Sequence, residues 1–238
     1  MGKLYVVGIG PGGLQDMTLK ARRALEESEV IVGYTKYIKM VEELLKGKEV
    51  FETGMKKEVD RCKRALELSK DKVVSIISTG DSGIYGMAGL ILEMKKEEIV
   101  EIIPGVTSSI AAAALLGSPL MHDNCSISLS DLMTPYDLIK KRVLLAAEGD
   151  FVISFYNPRS KGRPYYLREC IDIIRKYRKD NTPVGIVKNA MREGEEIIIS
   201  TLKDFDETKV DMMSMVIIGN SNTFMKDNIM ITPRGYKL

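Results

Sequence analysis

The chain has 238 residues, of which 45% are hydrophobic, so it is long enough to bury one compact core or two smaller ones. Lys and Arg total 35 against 33 Asp and Glu, a near-neutral balance that excludes the strong positive field of a nucleic-acid-binding protein. No apolar run approaches the ~20 residues of a membrane span, and the opening MGKLYVVGIGPGG is too short and glycine-broken for a signal peptide, so we expect a cytoplasmic protein with no nucleic-acid or membrane partner.

The first half of the chain alternates predicted strands and helices. The apolar run 3–9 predicts a buried strand, and 18–28 predicts a helix behind the N-capping residue Thr18. The alternation continues with strands at 29–33, 48–52, 72–78 and 97–103, and with helices at 37–45, 56–70, 87–96 and 108–117. Strands alternating with helices predict a mostly parallel sheet that is covered on both faces.

The segment GSPLMHDN, residues 117–124, interrupts this pattern, and it predicts a division into domains 1–119 and 120–238. Beyond it strands dominate, and the turn REGE indicates an antiparallel hairpin in a mixed sheet. The predicted strands are 125–130, 151–157, 182–190, 195–202 and 214–220, and the predicted helices are 135–147 and 164–179. The expected fold class is therefore α/β, with two α/β domains.

The segment GIGPGG carries glycines at positions 8, 10 and 13 between a predicted strand and a predicted helix. This spacing formally matches the dinucleotide fingerprint. The match fails at the end of the next strand, where Gly33 and Tyr34 stand in place of the acidic residue that would bind a ribose. A nicotinamide or flavin site is therefore disfavoured, which leaves a tight turn without a ligand or a site for another nucleoside-type ligand.

The stretch STGDSGIYGMAG, residues 78–89, places four glycines around one carboxylate, Asp81. A backbone this bare lets a ligand lie against main-chain groups, while Asp81 accepts hydrogen bonds from hydroxyl groups or a cation. The alternative is a strand-to-helix turn in which Asp81 caps the helix.

Residues 104–117, PGVTSSIAAAALLG, place Thr107 and Ser108 at the start of a small-residue helix. Free N–H groups and hydroxyls converge there, although helix capping and tight packing explain the same residues. Because this loop and the two glycine loops all follow predicted strands, we expect them at one carboxyl edge, where α/β proteins bind ligands.

Arg159, Lys161 and Arg163 precede Pro164, a favourable first residue for a helix. Three cations at a helix N-terminus oppose the helix dipole and so indicate an acidic ligand, whereas the alternative is a solvated basic loop. The single histidine, His122, has no partners at ligand spacing, which is typical of a structural or exposed side chain.

The three cysteines lack the paired spacing of a zinc or redox site, and we expect free, buried thiols and no metal. They are Cys62, Cys125 and Cys170. The sequence also contains no nucleophile elbow and no Walker loop, which disfavours hydrolase and P-loop functions.

Taken in order, VGIGPG, STGDSGIYGMAG, PGVTSSIAAAA, ISLSDLMTPY, FYNPRSKGRP and VKNAMREGE resemble the tetrapyrrole (precorrin) methylases of cobalamin biosynthesis over nearly the whole chain. The last three motifs, with GIYGMAG, are most similar to the branch that methylates C-17 of precorrin-3B or cobalt-factor III with ring contraction. Ser82 fits this branch, whereas Tyr136 stands where the family commonly has Trp.

The resemblance implies two α/β domains with S-adenosylmethionine bound between them, S-adenosylhomocysteine as the product, and a homodimer. The implied cofactor-binding residues are Pro11, Gly80, Asp81, Ile84, Tyr85, Thr107, Ser108, Tyr156, Asn189, Ala190 and Met191. The polycarboxylate tetrapyrrole substrate is expected at Arg159, Lys161, Arg163 and Tyr136. Ring contraction moves protons, and the candidates for an acid or base are Asp131, Ser130 and His122.

Three alternatives stay open at this point. The first is a nicotinamide-dependent oxidoreductase built on the first glycine loop. The second is a module that binds a tetrapyrrole or nucleoside without transfer. The third is another member of the family, either a C-11 or C-20 precorrin methylase or a diphthine synthase, which should differ around 128–136 and 155–164. A chain with no added redox domain or cluster motif favours the cobalt-containing substrate.

Overall fold

The computed structural model describes residues 2–237. It divides into two compact units, Met1–Ser108 and Ser109–Leu238. Residues 109–119 thus pack with the second unit, whereas the sequence pattern placed a boundary after residue 119. Where the functional domains divide stays a prediction.

The first unit is built on a five-stranded sheet in which every pairing is parallel, in the order β3-β2-β4-β1-β5. Its strands are β1 (Lys3–Gly8), β2 (Val30–Tyr34), β3 (Glu49–Thr53), β4 (Val73–Ser78) and β5 (Val100–Ile103). Its helices are α1 (Leu19–Glu27), α2 (Thr35–Met40), α3 (Glu58–Leu68) and α4 (Ala88–Met94). The predicted parallel α/β arrangement is confirmed.

Helices cover both faces of this sheet because its strands are apolar on both sides. In β1, Leu4 and Val6 pack with α3 and α4, whereas Tyr5 and Val7 pack with α1 and α2. Side chains alternate between the faces of a strand, so a strand buried on both faces reads as a continuous apolar run. This is why the strand predictions from such runs hold.

The helix boundaries show where local signals succeed and fail. Thr18 caps α1 as predicted, since its Oγ1 accepts a hydrogen bond from Ala21 N at 3.1 Å. The predicted helix over 37–45 was wrong in extent: α2 ends at Met40 and a separate 3-10 turn follows at Glu42–Leu44. Val41 between them has φ −120° and ψ 16°, outside the helical region.

The second unit contains a mixed sheet in the order β10-β9-β11-β8-β7. Strands β7 and β8 run parallel, and the predicted antiparallel hairpin joins β9 to β10. The strands are β7 (Asn124–Ser128), β8 (Val152–Tyr156), β9 (Pro183–Lys188), β10 (Glu196–Thr201) and β11 (Ser214–Ile218). A further small sheet, β12-β13-β6, was not predicted; its strands are β6 (Gly117–Ser118), β12 (Phe224–Lys226) and β13 (Ile229–Ile231).

Three helices complete this unit, α5 (Ser108–Leu116), α6 (Tyr136–Glu148) and α7 (Tyr166–Ile174). Helices α6 and α7 bury one face of the mixed sheet. On the other face, a Cβ added to Gly185 would lie 2.6 Å from Leu116 Cδ2 and 2.9 Å from Met230 Sδ. Side chains from α5 and β13 therefore press directly on the β9 backbone there.

None of the helices formed by residues 2–237 is both long and apolar enough to cross a bilayer. The three cysteines are free; two are buried as predicted, and Cys125 is half-buried. Burial raises the pKa of Cys62 and of Cys170 to about 12 and that of Cys125 to about 11. These thiols are therefore protonated and unreactive near neutral pH.

Candidate functional site

Two groups of loops follow the carboxyl ends of strands and carry most of the predicted site residues. We call residues 9–17, 79–87 and 104–107 the first loop cluster, because they follow β1, β4 and β5. We call residues 129–135, 157–165 and 189–195 the second loop cluster, because they follow β7, β8 and β9. Carboxyl edges are the usual ligand sites of α/β sheets.

The first loop cluster is held together by main-chain contacts. Gly10 and Gly80 exchange two backbone hydrogen bonds, with N···O distances of 3.0 and 2.8 Å. A Cβ added to Gly105 would lie 2.5 Å from Gly8 O and closer still to Gly80 O. These glycines therefore let the loops approach one another, whereas the sequence pattern indicated that bare backbone was exposed for a ligand.

The Asp81 carboxylate supports the same packing. Its Oδ1 accepts hydrogen bonds from Gly83 N at 2.7 Å and Ile84 N at 3.1 Å, and its Oδ2 accepts one from Gly105 N at 3.0 Å. Asp81 thus shapes its own turn and ties it to the loop after β5, but it does not cap the following helix, because α4 begins after Met87 and has no side-chain cap. Contact with a ligand stays a prediction for this residue.

Beyond Asp81, the turn presents two large side chains to solvent. Ile84 is 41% exposed and Tyr85 is 55% exposed. Tyr85 has φ +55°, a left-handed conformation that is uncommon for an aromatic residue and that the surrounding turn must maintain. Pro11 and Thr107 are buried in the neighbouring loops.

Two serines also fix this turn; sequence reasoning noted Ser82 only as part of the resemblance and missed Ser78. Ser82 is fully buried and its Oγ donates to Ile103 O at 3.2 Å. Ser78 Oγ accepts a hydrogen bond from Met87 N at 3.2 Å. Both bonds anchor the turn to the sheet, and no local pattern in the sequence predicts them.

The charge of the first loop cluster limits what it can bind. Its three segments contain no Lys or Arg. Asp16 Oδ2 is buried and has no hydrogen-bond partner among the described residues. An acceptor of this kind needs an N–H or O–H donor to satisfy it. The cluster thus suits a ligand that carries donors or positive charge, and it lacks the cations that a phosphate group would need.

In the second loop cluster, Arg163 is only 7% exposed. Its Nη1 donates to Leu129 O and, at 3.3 Å, to Asn157 O. The guanidinium therefore links the loops after β7 and β8. These contacts favour a structural role over the substrate contact expected from the sequence, because the Nη1 donor of this buried side chain is already directed at two carbonyl groups.

Asp131 lies beside Arg163 and is held by two different segments. Tyr166 Oη donates to Asp131 Oδ2 at 2.8 Å, and Arg163 Nε lies 3.7 Å from Asp131 Oδ1. The Tyr166 ring stacks on Tyr136 with centroids 3.7 Å apart and an interplanar angle of 15°. The hydrogen bond to Asp131 is the main cause of a raised pKa for Tyr166.

Tyr136 is tied down in turn. Its Oη donates to Glu169 Oε2 at 3.1 Å. Burial is the main cause of the raised pKa of Tyr136, so its phenol stays neutral. Sequence reasoning singled out Tyr136 but missed Tyr166; the only signal was its position at the start of a helix.

Ser130 and Asp131 lie together, but the structure separates them from His122. Ser130 N donates to Ser128 Oγ at 3.2 Å, and Asn157 Nδ2 donates to the same Oγ at 3.0 Å. His122 precedes β7, whereas Ser130 and Asp131 follow it, so they lie at opposite ends of that strand. His122 Nδ1 accepts a hydrogen bond from Asp123 N at 2.8 Å.

The two remaining predicted cations differ from Arg163 and from each other. Arg159 Nη1 donates to Glu207 O at 2.7 Å and is half-buried. Lys161 is exposed. Helix α7 begins at Tyr166, two positions later than predicted from Pro164. The cations thus lie in a loop ahead of the helix, and Lys161 is the most accessible of them.

The residues of the second unit that the resemblance assigns to cofactor binding lie at the ends of β8 and β9. Tyr156 Oη donates to Ser109 Oγ at 2.9 Å and accepts from Ser109 N at 3.3 Å, so the buried phenol anchors the start of α5. After β9, Asn189 and Met191 have φ +49° and +59°, and Ala190 between them is 9% exposed. These left-handed conformations make residues 189–191 a tight turn at the end of β9.

Among residues 2–237, no three His, Cys, Asp or Glu side chains come together in the manner of a metal site.

The chain is similar to known proteins in both sequence and structure. A sequence profile of the Tetrapyrrole (Corrin/Porphyrin) Methylases matches residues 3–206. A Salmonella typhimurium protein named "probable cobalt-factor III C(17)-methyltransferase" is 51% identical over 240 residues, which cover 99% of this chain and 100% of that protein. The precorrin-3B C(17)-methyltransferase of a Sinorhizobium species is 36% identical, with 99% and 97% covered. The crystal structure of the methyltransferase CobJ superposes with a TM-score of 0.92 at 33% identity, covering 98% of this chain and all of that one.

Proposed function

Since the chain belongs to the tetrapyrrole (corrin/porphyrin) methylases, we propose that it transfers a methyl group from S-adenosylmethionine to C-17 of cobalt-factor III, with contraction of the macrocycle. The observation that carries this proposal is the 51% identity, over essentially both whole chains, to the Salmonella protein of that name. The precorrin-3B methyltransferase is less similar, at 36%, which favours the cobalt-containing substrate.

The cofactor proposal rests on the chemistry of the first loop cluster. S-adenosylmethionine carries an ammonium group, hydroxyls and a sulfonium, and it has no phosphate. A loop set without Lys or Arg, and with the unpartnered Asp16 Oδ2, matches those groups. The cofactor supplies an activated methyl group. In this cluster the exposed side chains of Ile84 and Tyr85 would contact it, and the other residues that would hold it are those implied by the resemblance.

The substrate proposal rests on the second loop cluster. Lys161 is exposed and Arg159 half-buried, and this accessibility supports the proposal that they bind the carboxylate arms of a tetrapyrrole. Beside Asp131, Leu132 is 75% exposed and Met133 is 95% exposed. Large apolar side chains exposed in the same loop cluster as these cations suit a flat macrocycle that carries acidic arms.

The chain's own part in the reaction is to hold the ring carbon in line with the methyl group and to exclude water. Lactone formation and ring contraction also require a group that accepts a proton. Asp131 is the candidate that the contacts favour, with Ser130 beside it. His122 is set aside because it lies at the other end of β7. The homodimer and the cytoplasmic location stay predictions.

The proposal is tested by incubating the purified protein anaerobically with S-adenosylmethionine and cobalt-factor III, and by recording mass and visible spectra of the pigment. A gain of one methyl group with the spectrum of a contracted ring is the expected result. Precorrin-3B, offered in parallel, tests the choice of substrate. An unchanged pigment, with S-adenosylhomocysteine bound tightly in calorimetry, would contradict the substrate and redirect the search to the C-11 and C-20 precursors. Failure to bind S-adenosylhomocysteine would contradict the cofactor.

A further inference from the structure

The Asp131 carboxylate is held by two partners and is also partly open to solvent. Both of its carboxylate oxygens face a partner, Tyr166 Oη at 2.8 Å and Arg163 Nε at 3.7 Å. Its side chain is nevertheless 35% exposed. A carboxylate that is held from two sides and still open to solvent can accept a proton or a hydrogen bond from a ligand without first being reoriented.

Each partner of Asp131 is itself immobilised. The Arg163 side chain is 9% exposed and is fixed by the carbonyl groups of Leu129 and Asn157. The Tyr166 ring lies 3.7 Å from the ring of Tyr136 in a nearly parallel stack. An isolated surface ion pair has no such support. The Asp131 contacts are therefore supported by a second layer of contacts that an isolated ion pair lacks.

We infer that Tyr166 is a positioning residue, whose hydroxyl holds the Asp131 carboxylate in the orientation used in the reaction. The inference rests on the proposed function, in which Asp131 faces the pigment. In this role Tyr166 acts through Asp131 and does not contact the substrate. The charged and titratable groups around the pair are Arg163, Tyr136 and Glu169.

The contact can be tested without any substrate. With tyrosines labelled at the ring carbon that bears the hydroxyl, Tyr166→Phe identifies the NMR signal of Tyr166. In the wild type, that tyrosine titrates at high pH because its proton bonds to a carboxylate. In Asp131→Asn we expect the titration of this signal to move to lower pH. An unmoved titration would overturn the contact.

The positioning role is tested by turnover. We expect Tyr166→Phe to lower kcat by about tenfold, the loss of one hydrogen bond to a charged group. The KM for the pigment and the affinity for S-adenosylhomocysteine should stay within about twofold. Tyr236→Phe removes the same atom from a 75% exposed tyrosine outside both loop clusters and is the matched control, with unchanged turnover.

The double variant separates positioning from mere support. If Tyr166 acts through Asp131, the variant Asp131→Asn with Tyr166→Phe turns over no more slowly than Asp131→Asn alone. Additive losses, or a loss confined to stability, would overturn the inference while leaving the proposed function intact. A wild-type protein that methylates none of the pigments would instead contradict the proposed function, and the positioning role with it.

Discussion

The two loop clusters both follow the carboxyl ends of strands, but different kinds of contact hold them together. In the first, main-chain groups of Gly8, Gly10, Gly80 and Gly105 contact one another, and the Asp81 carboxylate bonds to backbone N–H groups. In the second, side chains set the arrangement, above all that of Arg163. A main-chain scaffold tolerates almost no added atom, whereas a side-chain scaffold depends on donors that a substitution can remove.

The sharpest test of this difference is Gly105→Ala. The new Cβ would lie 2.5 Å from Gly8 O and nearer still to Gly80 O, and neither carbonyl group can rotate away. We expect a loss of more than about 3 kcal/mol in the free energy of unfolding. The measurement is urea unfolding followed by far-UV circular dichroism.

Gly13→Ala is the matched control for that variant. It lies in the same loop cluster, but a Cβ there meets no atom within 4 Å. We expect a change within about 0.5 kcal/mol. Equal stability of the two variants would show that the first cluster is not limited by main-chain contact.

The corresponding test of the second cluster is Arg163→Met. The variant keeps much of the buried volume but leaves the carbonyl groups of Leu129 and Asn157 without their donor. We expect a loss of about 2–3 kcal/mol in the free energy of unfolding. Lys161→Met removes an exposed cation from the same loop and should change stability by less than about 0.5 kcal/mol. If both variants lose only a little free energy of unfolding, the structural role of Arg163 is wrong, and ligand binding becomes the better explanation of this residue.

A smaller effect is expected where a single hydroxyl anchors a helix. Tyr156→Phe removes the bonds between Tyr156 Oη and Ser109, at 2.9 and 3.3 Å, and leaves the ring in place. We expect a loss of about 1–1.5 kcal/mol in unfolding free energy. Tyr165→Phe, at a 63% exposed site, serves as the control. If the stability of Tyr156→Phe matches that of the control, the phenol is not an anchor, and its predicted contact with the cofactor gains support.

These contacts also mark the limit of what the sequence could predict. Apolar runs predicted most strands, because a strand buried on one or both faces has a recognisable pattern of apolar residues in its own short segment of sequence. The three-residue strands β12 and β13 are too short to show a period. The hairpin between β9 and β10 followed from a turn signal between two such runs.

The site was predicted as a set of loops, but the partners within it were not. Asp81 and Gly105 are 24 residues apart, and Asp131 and Tyr166 are 35 residues apart. No local pattern encodes such pairs. The residue type also gives the wrong expectation at Arg163, because arginine is usually exposed. Arg163 is buried, and the fold allows this by bringing carbonyl groups close to the guanidinium.

The smallest effect is expected from a side-chain network that belongs to neither loop cluster. Glu101 bonds to Lys3 and to Lys20 at 2.7 Å each, and these bonds, first that from Lys20, lower its pKa to about 2. A carboxylate whose pKa is depressed on folding stabilises the protein above its unfolded pKa, and this contribution is lost as the pH falls. The window therefore runs from about pH 4.5 down to about pH 2.

The Glu101 side chain is 34% exposed, so solvent screens its ion pairs and we expect less than about 1 kcal/mol from them. Glu101→Gln should lower the free energy of unfolding by that small amount at pH 7. The difference between variant and wild type should shrink as the pH falls from 4.5 to 2 and also as salt is added. A loss at pH 7 as large as that of Arg163→Met would mean that exposed networks stabilise this fold as strongly as the buried contacts of the second loop cluster.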